Sequence, residues 1–475
     1  MRVWIIILLS FLIYGVSLFG GFVQDDVVVI ANNPELSKVS YLLSAWTEPY
    51  YKNDSKAGLY RPVTSMSFGI NELLFGTSPW GFRLVNVLLY ALVCWLVYVF
   101  AVQVLKDKKW AFILAILFVV HPIHTEAVNN IVGRAEILSL IFFLSSMVVT
   151  QKRKAELGAL FYLLAMLSKE SAIVAILPLF LIIWAQKSSL KEKLGRSITY
   201  CVSVLAYLGM RLVVLGNNFF SNNATMVENP LKFLSFNQRI PAAVSNLSLG
   251  WEKLVWPWYL SYDYSFNLIK LPNNFLDTKV IIGVLLILFS LMLLYVKRRE
   301  TGWINGLMLL WLPISVTGNL IFPTGTIFGE RLWFTSSLGF LLLVILWARE
   351  SRWAKYIYPV LIAIAIFWGL RTVVRNIDWL SEKSLFLHDA GYARDSVMAV
   401  NNEAAMRLQE KDFTKAKDAL ERANKIYPDY PQLMNNWGIY YWWQGDLNMA
   451  KTKFKECLDK YPGDALCNGN IELLK

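Results

Sequence analysis

The sequence predicts a mainly α protein, a polytopic bundle of about eleven membrane-spanning helices followed by a short C-terminal α-solenoid. Three observations predict it. Of its 475 residues, 56% are hydrophobic and only 17% charged, and the mean hydropathy is +0.44. A soluble protein of this size could not solvate so apolar a surface, whereas a bilayer removes the problem. Long apolar runs alternate with short polar connectors, and residues 397–464 repeat with a period of 34.

A helix needs roughly 20 apolar residues to cross the hydrocarbon layer. The runs that qualify are 3–22, 82–105, 109–121, 135–150, 156–168, 171–186, 197–215, 278–296, 302–321, 332–348 and 356–375. Those at 109–121 and 156–168 are short and predict broken or tilted helices. The first run follows Arg2 and lacks a small-x-small cleavage site, so it reads as a retained helix rather than a signal peptide.

Every even-numbered run ends in a basic loop. These loops carry Lys106, Lys108 and Lys109; Lys152, Arg153 and Lys154; Lys187, Lys191, Lys193 and Arg196; Lys297, Arg298 and Arg299; and Arg349, Arg352 and Lys355. The positive-inside rule puts these loops and the N-terminus in the cytoplasm. The segments 23–81, 121–134, 168–170, 216–277 and 322–331, and everything after 376, are then expected outside. This placement accounts for the net charge of +12. No basic tract with interleaved aromatics points to nucleic acid. Asn53, Asn223 and Asn246 stand in Asn-x-Ser/Thr triplets that are too common by chance to fix the compartment.

Cys94 and Cys201 fall in apolar runs as packing residues. Cys457 and Cys467 make no Cys-x-x-Cys pair, which argues against zinc, and a disulfide between them is the less favoured reading.

Aligning 397–430 with 431–464 matches Phe413 with Leu447, Ala416 with Ala450, Leu420 with Phe454 and Pro428 with Pro462. With Asn436-Trp437-Gly438, Tyr441 and Gly445-Asp446, the second copy fits the tetratricopeptide pattern. Residues 1–376 are therefore the membrane domain, 377–396 a linker or cap, and 397–475 the repeats, with a truncated helix at 465–475. Such repeats form a groove for a peptide or serve as a packing appendage.

The polar motifs gather on the outer side. Asp25-Asp26 follows the first span directly. Carboxylates there serve as a general base, help hold a divalent metal, or cap a helix. Arg61, in Tyr60-Arg61-Pro62, can fork onto a phosphate or make a loop salt bridge. His121-Pro122-Ile123-His124-Thr125-Glu126 ends the third span. Its histidines suit a metal, a phosphate or a proton, although Pro122 breaks the helix between them. Arg134 and Glu136 stand at the mouth of the fourth span, Ser168-Lys169-Glu170 in the turn between the fifth and sixth, and Glu330-Arg331 at the start of the tenth. The stretch from Trp256-Pro257 to Asp263-Tyr264 reads as interfacial or re-entrant. Transporters more often place polar sites near the midplane. Clustering at one interface instead suits chemistry on a ligand with a polar head and a tail in the bilayer.

Taken in order, several motifs resemble the transmembrane and tetratricopeptide-repeat-containing O-mannosyltransferases and their prokaryotic relatives. They are Gly21-Phe22-Val23-Gln24-Asp25-Asp26, Tyr60-Arg61-Pro62, the 121–126 stretch running into Gly133-Arg134-Ala135-Glu136, Ser168-Lys169-Glu170, Ser261-Tyr262-Asp263-Tyr264, Glu330-Arg331-Leu332 and Arg375-Asn376-Ile377-Asp378-Trp379. The resemblance covers nearly the whole chain. It implies the GT-C glycosyltransferase fold, a polyprenyl- or dolichyl-phosphate sugar donor (mannose among the sugars), and inverting transfer to an acceptor hydroxyl on the periplasmic, extracellular or lumenal face. It carries the catalytic acidic motif onto Asp25 and Asp26, and the donor-phosphate contacts onto Arg61, Arg134, Lys169 and Arg331. His121, His124, Glu126, Glu136, Glu170, Asp263 and Glu330 remain further active-site candidates. Magnesium or manganese is a candidate cofactor at Asp25 and Asp26. The expected partners are the lipid-linked sugar, membrane lipid, and an acceptor protein or glycan met by the repeats. Two repeats, where the eukaryotic enzymes carry long arrays, favour a prokaryotic inner-membrane member. A non-enzymatic scaffold and a transporter of a lipid-linked substrate are the alternatives.

Overall fold

A computed structural model describes residues 1–52, 54–272 and 274–474. The Asn53 triplet and Lys475, the last residue of the expected repeat region, lie outside the described residues. The protein is an integral, multi-pass membrane protein, and its described residues contain helices but no strands.

Each expected apolar run is a helix, but among the described residues only seven helices are long and apolar enough to cross a membrane. They are Arg2–Phe19, Pro79–Leu105, Ile131–Gln151, Leu190–Asn218, Thr278–Val296, Glu330–Glu350 and Ala354–Asp378. Lys108–Val120 and Pro122–Asn129 make an eighth if counted as one span bent by 51°. The bend sits at His121-Pro122, where the proline ring cannot continue the preceding helix. Ala155–Ser168, Glu170–Ala185 and Thr301–Thr317 are apolar but shorter.

Local sequence sets the helix starts. Pro62 and Pro79 occupy first turns, where a missing N–H costs nothing. Asp107 caps Lys108–Val120, accepting from the N–H groups of Lys109 and Trp110. Ile131–Gln151 lies at the centre with most of its residues buried, and Thr278–Val296 at the periphery with few buried.

The basic loops meet at one end of the bundle. Arg349 donates to the Leu105 carbonyl, Arg153 to that of Lys187, and Lys297 pairs with Glu350 at 2.8 Å. The motif-bearing loops meet at the other end, as described below.

The segment 216–277, expected as an outer connector with an interfacial or re-entrant stretch from Trp256 to Tyr264, contains a 20-residue helix, Phe236–Val255. A reciprocal cap between Ser235 and Gln238 starts it. It packs tightly along Thr278–Val296: a methyl added at Gly283 would stand 2.3 Å from the Val244 carbonyl oxygen. Its low apolar content hid it from a search for spans.

After Asp378, a short helix, Glu382–Tyr392, leads into two helical hairpins. Val397–Gln409 and Phe413–Ile426 form the first, Pro431–Trp443 and Leu447–Lys460 the second. Each boundary of the second lies 34 residues beyond its counterpart in the first. Asp412 and Asp446, also 34 apart, cap the two outer helices. Ala465–Leu473 begins a third unit in the same register. Cys457 and Cys467 are joined by a disulfide, against the favoured sequence reading. The turn at Pro462-Gly463 folds the last helix back and brings their Cα atoms to 6.4 Å.

Candidate active site

The first connector places its two acidic residues in different surroundings. Gln24, at φ 53°, turns the chain in the left-handed region. Beyond it Asp26 is fully buried and Asp25 half-buried. The Asp26 carboxylate accepts the backbone N–H of Val132 at 3.0 Å and that of Val23 at 3.4 Å. It thereby staples the first connector to the loop before Arg134. Burial pushes the Asp26 carboxyl up to about 7, against the pull of those N–H groups and of Arg83. Asp25 accepts no hydrogen bond from the described residues, and its charge bears on Tyr50, Tyr51 and Arg331. It is therefore the carboxylate free to meet a ligand.

Three ion pairs lie on the same side of the bundle, and one of them, at Arg331, feels the charge of Asp25. Arg61 forks onto Glu170 at 2.8 and 2.6 Å, its guanidinium over the Tyr50 ring. Arg331 pairs with Glu126 at 3.0 Å, and its backbone N–H donates to the same carboxylate. Lys169 is sealed against Glu136, both nearly fully buried. The three pairs form one field: the charges of Arg61, Glu170, Arg331 and Glu126 all bear on Lys169. Arg331 is the most open of these cations, its side chain 30% exposed against 15% for Arg61 and 6% for Lys169. Only one of its three guanidinium nitrogens donates to a described residue.

A small pocket of about 30 Å³ is lined by residues close in sequence to this cluster. Its lining is largely apolar, with Leu140, Phe143, Val174, Leu309, Leu312 and Pro313 among its walls. Three of its lining residues carry hydroxyls. Ser139 lies one helical turn from Glu136, Ser171 follows Glu170, and Thr335 is four residues beyond Arg331.

The remaining candidates lie elsewhere. Arg134 is fully buried and spends its guanidinium on Asn86, Asn71 and the carbonyls of Ser67 and Phe82, at 2.7 to 3.1 Å. It is a structural knot, and no donor is left over for a phosphate. Gly133 before it admits no side chain, because a Cβ would stand 2.4 Å from the Ala127 carbonyl oxygen. His121 and His124 are buried with all four ring nitrogens engaged. His121 meets the Leu254 carbonyl and the Ile123 N–H, and His124 meets Tyr90 and Ser337. They brace the bend rather than reach a ligand.

Glu330 accepts from the Ser261 N–H at 2.7 Å and the Tyr264 hydroxyl at 2.6 Å. Asp263 takes the Ser265 N–H and the hydroxyls of Ser265 and Ser396. Together they latch the 261–265 loop between the bundle and the first hairpin. Sequence reasoning passed over Asp389, the centre of this latch. It receives Arg375 through two bonds of 2.7 and 2.9 Å and the Tyr262 N–H at 2.6 Å. Burial works against its charge, yet Arg375 and His388 hold the carboxyl below its ordinary range. Arg83 was also missed. It binds the Gly21 and Trp379 carbonyls, and its only signal was a lone charge at the mouth of an apolar run.

Asp25 and Asp26 gather no third metal-ligating side chain among the described residues. Asp26 spends its oxygens on the backbone N–H groups of Val23 and Val132.

Residues 62–215 match the family model for dolichyl-phosphate-mannose-protein mannosyltransferases. That segment carries Glu126, Glu136, Lys169 and Glu170. The protein O-mannosyl-transferase TMTC3 of Mus musculus is 29% identical over 468 residues, 88% of this chain and 50% of that protein. The protein O-mannosyl-transferase F38B6.6 of Caenorhabditis elegans is 30% identical over 404 residues, 80% of this chain and 56% of that protein. TMTC1 of Homo sapiens is 28% identical over 499 residues, 90% of this chain and 55% of that protein. The chain thus spans about half the length of the curated relatives it matches. By sequence, over most of its length, it is a relative of the TMTC protein O-mannosyl-transferases.

Proposed function

We propose that the protein is an inverting membrane glycosyltransferase that moves a sugar, mannose by kinship, from a polyprenyl-phosphate donor to an acceptor hydroxyl. The observation that carries this reading is the open Arg331, with guanidinium N–H groups left over and the free Asp25 bearing on it, together with a largely apolar pocket lined by Ser139, Ser171 and Thr335, the sequence neighbours of Glu136, Glu170 and Arg331. The tail of a lipid-linked donor lies in the bilayer and its phosphate takes the spare N–H groups of Arg331, with the Arg61–Glu170 and Lys169–Glu136 pairs behind it. Their carboxylates keep those cations from binding phosphate too tightly to release it.

Asp25 accepts the proton of the acceptor hydroxyl as that oxygen attacks the anomeric carbon. The bond from that carbon to the phosphate oxygen breaks, and the polyprenyl phosphate leaves with its electron pair, its charge held by Arg331. One displacement inverts the centre. Phosphate is already a good leaving group, so positioning and charge stabilisation supply most of the acceleration. Asp26 holds the loop and does no chemistry.

In this reading all eleven apolar helices belong to the GT-C bundle. The basic end faces the cytoplasm, and the site and the hairpins face the opposite side. The Cys457–Cys467 disulfide supports that side being an oxidising one, such as a bacterial periplasm. The hairpins act as tetratricopeptide repeats that meet an acceptor protein or glycan.

The test is to incubate membranes bearing the protein with labelled polyprenyl-phosphate sugars and identify the labelled product. Transfer by the wild type and its loss in Asp25→Asn are expected. No transfer from any donor in the series overturns the proposal.

A further inference from the structure

We propose that Glu382, in the linker before the hairpins, is a positioning residue for Asp25, so that the acidic loop and the C-terminal unit form one mechanical assembly. The proposal rests on the reading of Asp25 as the base.

Gln24 immediately precedes Asp25 and has φ 53°. For a residue with a side chain, that conformation is strained and persists only where its surroundings hold it. The holding group is Glu382, whose Oε1 accepts the Gln24 N–H at 3.2 Å. Glu382 is itself fixed, standing at the first position of helix Glu382–Tyr392 behind the Ser381 cap, where the helix dipole favours a carboxylate.

The neighbouring contacts make this a strap rather than a single bond. The Gly21 N–H donates to the Leu380 carbonyl at 2.8 Å. Arg83 bridges the Gly21 and Trp379 carbonyls at 2.6 and 2.9 Å. Val23 is fully buried in a cluster with Trp379, Phe386 and Met406, and Met406 belongs to the first hairpin. Residues 21–24 are therefore bound to 379–382 along their length. The left-handed turn at Gln24 lets Val23 and Asp26 enter the interior while Asp25 stays outside. Without Glu382 the turn loses its anchor, Gln24 relaxes towards negative φ, and Asp25 swings out of line.

The test compares Glu382→Ala, Glu382→Gln and the double variant Gln24→Gly/Glu382→Ala in the full-length protein, with Lys383→Ala as a surface control. Two readouts are taken: transfer kinetics, and amide hydrogen exchange over residues 21–28 by mass spectrometry. Glu382→Ala should speed exchange in that segment and lower kcat at least tenfold, leaving the acceptor KM within a factor of about two. Glu382→Gln keeps an acceptor oxygen and should restore most of kcat. In the double variant, glycine adopts the left-handed turn without strain and should recover part of it. Lys383→Ala should match wild type in both readouts. Unchanged exchange in Glu382→Ala overturns the strap. Faster exchange with unchanged kcat overturns the positioning role. A wild-type protein that transfers no sugar overturns the reading of Asp25 itself, a failure distinguishable because exchange still reports on the strap.

Discussion

Glu126 holds Arg331 at two points, the guanidinium at 3.0 Å on one carboxylate oxygen and the backbone N–H of the same residue at 2.8 Å on the other. The side chain is thereby oriented while most of its donors stay free. Lysine has no planar fork and cannot hold Glu126 and a phosphate oxygen together. Arg331→Lys should lower transfer on the order of 10²-fold, with the loss read in kcat at saturating donor. Retention of wild-type kcat would remove Arg331 from the phosphate site.

The two adjacent aspartates should separate cleanly. Asp25→Asn removes a base and should cost about 10²–10⁴-fold in transfer. Asp26→Asn keeps an oxygen for the Val132 N–H and should stay within about tenfold of wild type. Single-turnover transfer measured on equal amounts of inserted protein checks both. The reverse ranking would exchange their roles.

Asp26 also sets a pH dependence of stability. Its ordinary value is 3.8 and its buried value about 7. Between these the folded protein keeps a proton that the unfolded chain has lost, so this group's contribution is full below about pH 4 and is lost as pH rises through about 7. Thermal midpoints in detergent should therefore fall from about pH 5 to about pH 8. Asp26→Asn should flatten part of that fall. A variant profile parallel to wild type would place the dependence on another group.

Arg134→Lys should fail by a different route from Arg331→Lys. Asn71, Asn86 and two carbonyls would lose their donor inside the bundle, costing about 3–5 kcal/mol. Less folded protein after solubilisation is expected, with normal transfer per folded molecule. Full folding with lost transfer would return Arg134 to the phosphate-binding set.

Reducing the Cys457–Cys467 bond, which closes a separation of 10 residues, should destabilise the last helix by roughly 2–3 kcal/mol. Protease cleavage between Lys460 and Leu473 should accelerate on reduction, and Cys457→Ser should show the fast rate without reductant. Equal rates in all three samples would mean that the thiols are unpaired.

Sequence alone determined the membrane class, the position of every apolar helix, the 34-residue period and the gathering of charged motifs at alternate connectors. All of these are local properties: hydropathy, periodicity and loop charge are carried by neighbouring residues, and the bilayer makes them decisive. The helix Phe236–Val255 escaped because its apolar residues fill one face only, and the disulfide because its cysteines meet across a turn. What a given charge does was settled by tertiary structure alone. Arg134 and Arg331 are equally plausible phosphate ligands in sequence, yet one is spent on four buried acceptors and the other is left open by a carboxylate 205 residues away. Asp25 and Asp26 are adjacent in the chain, and a single left-handed residue before them divides a half-buried carboxylate from a fully buried one. Burial and partner choice depend on residues distant in the chain, so the motifs marked where the site would form and the packing of the bundle decided which of their side chains it contains.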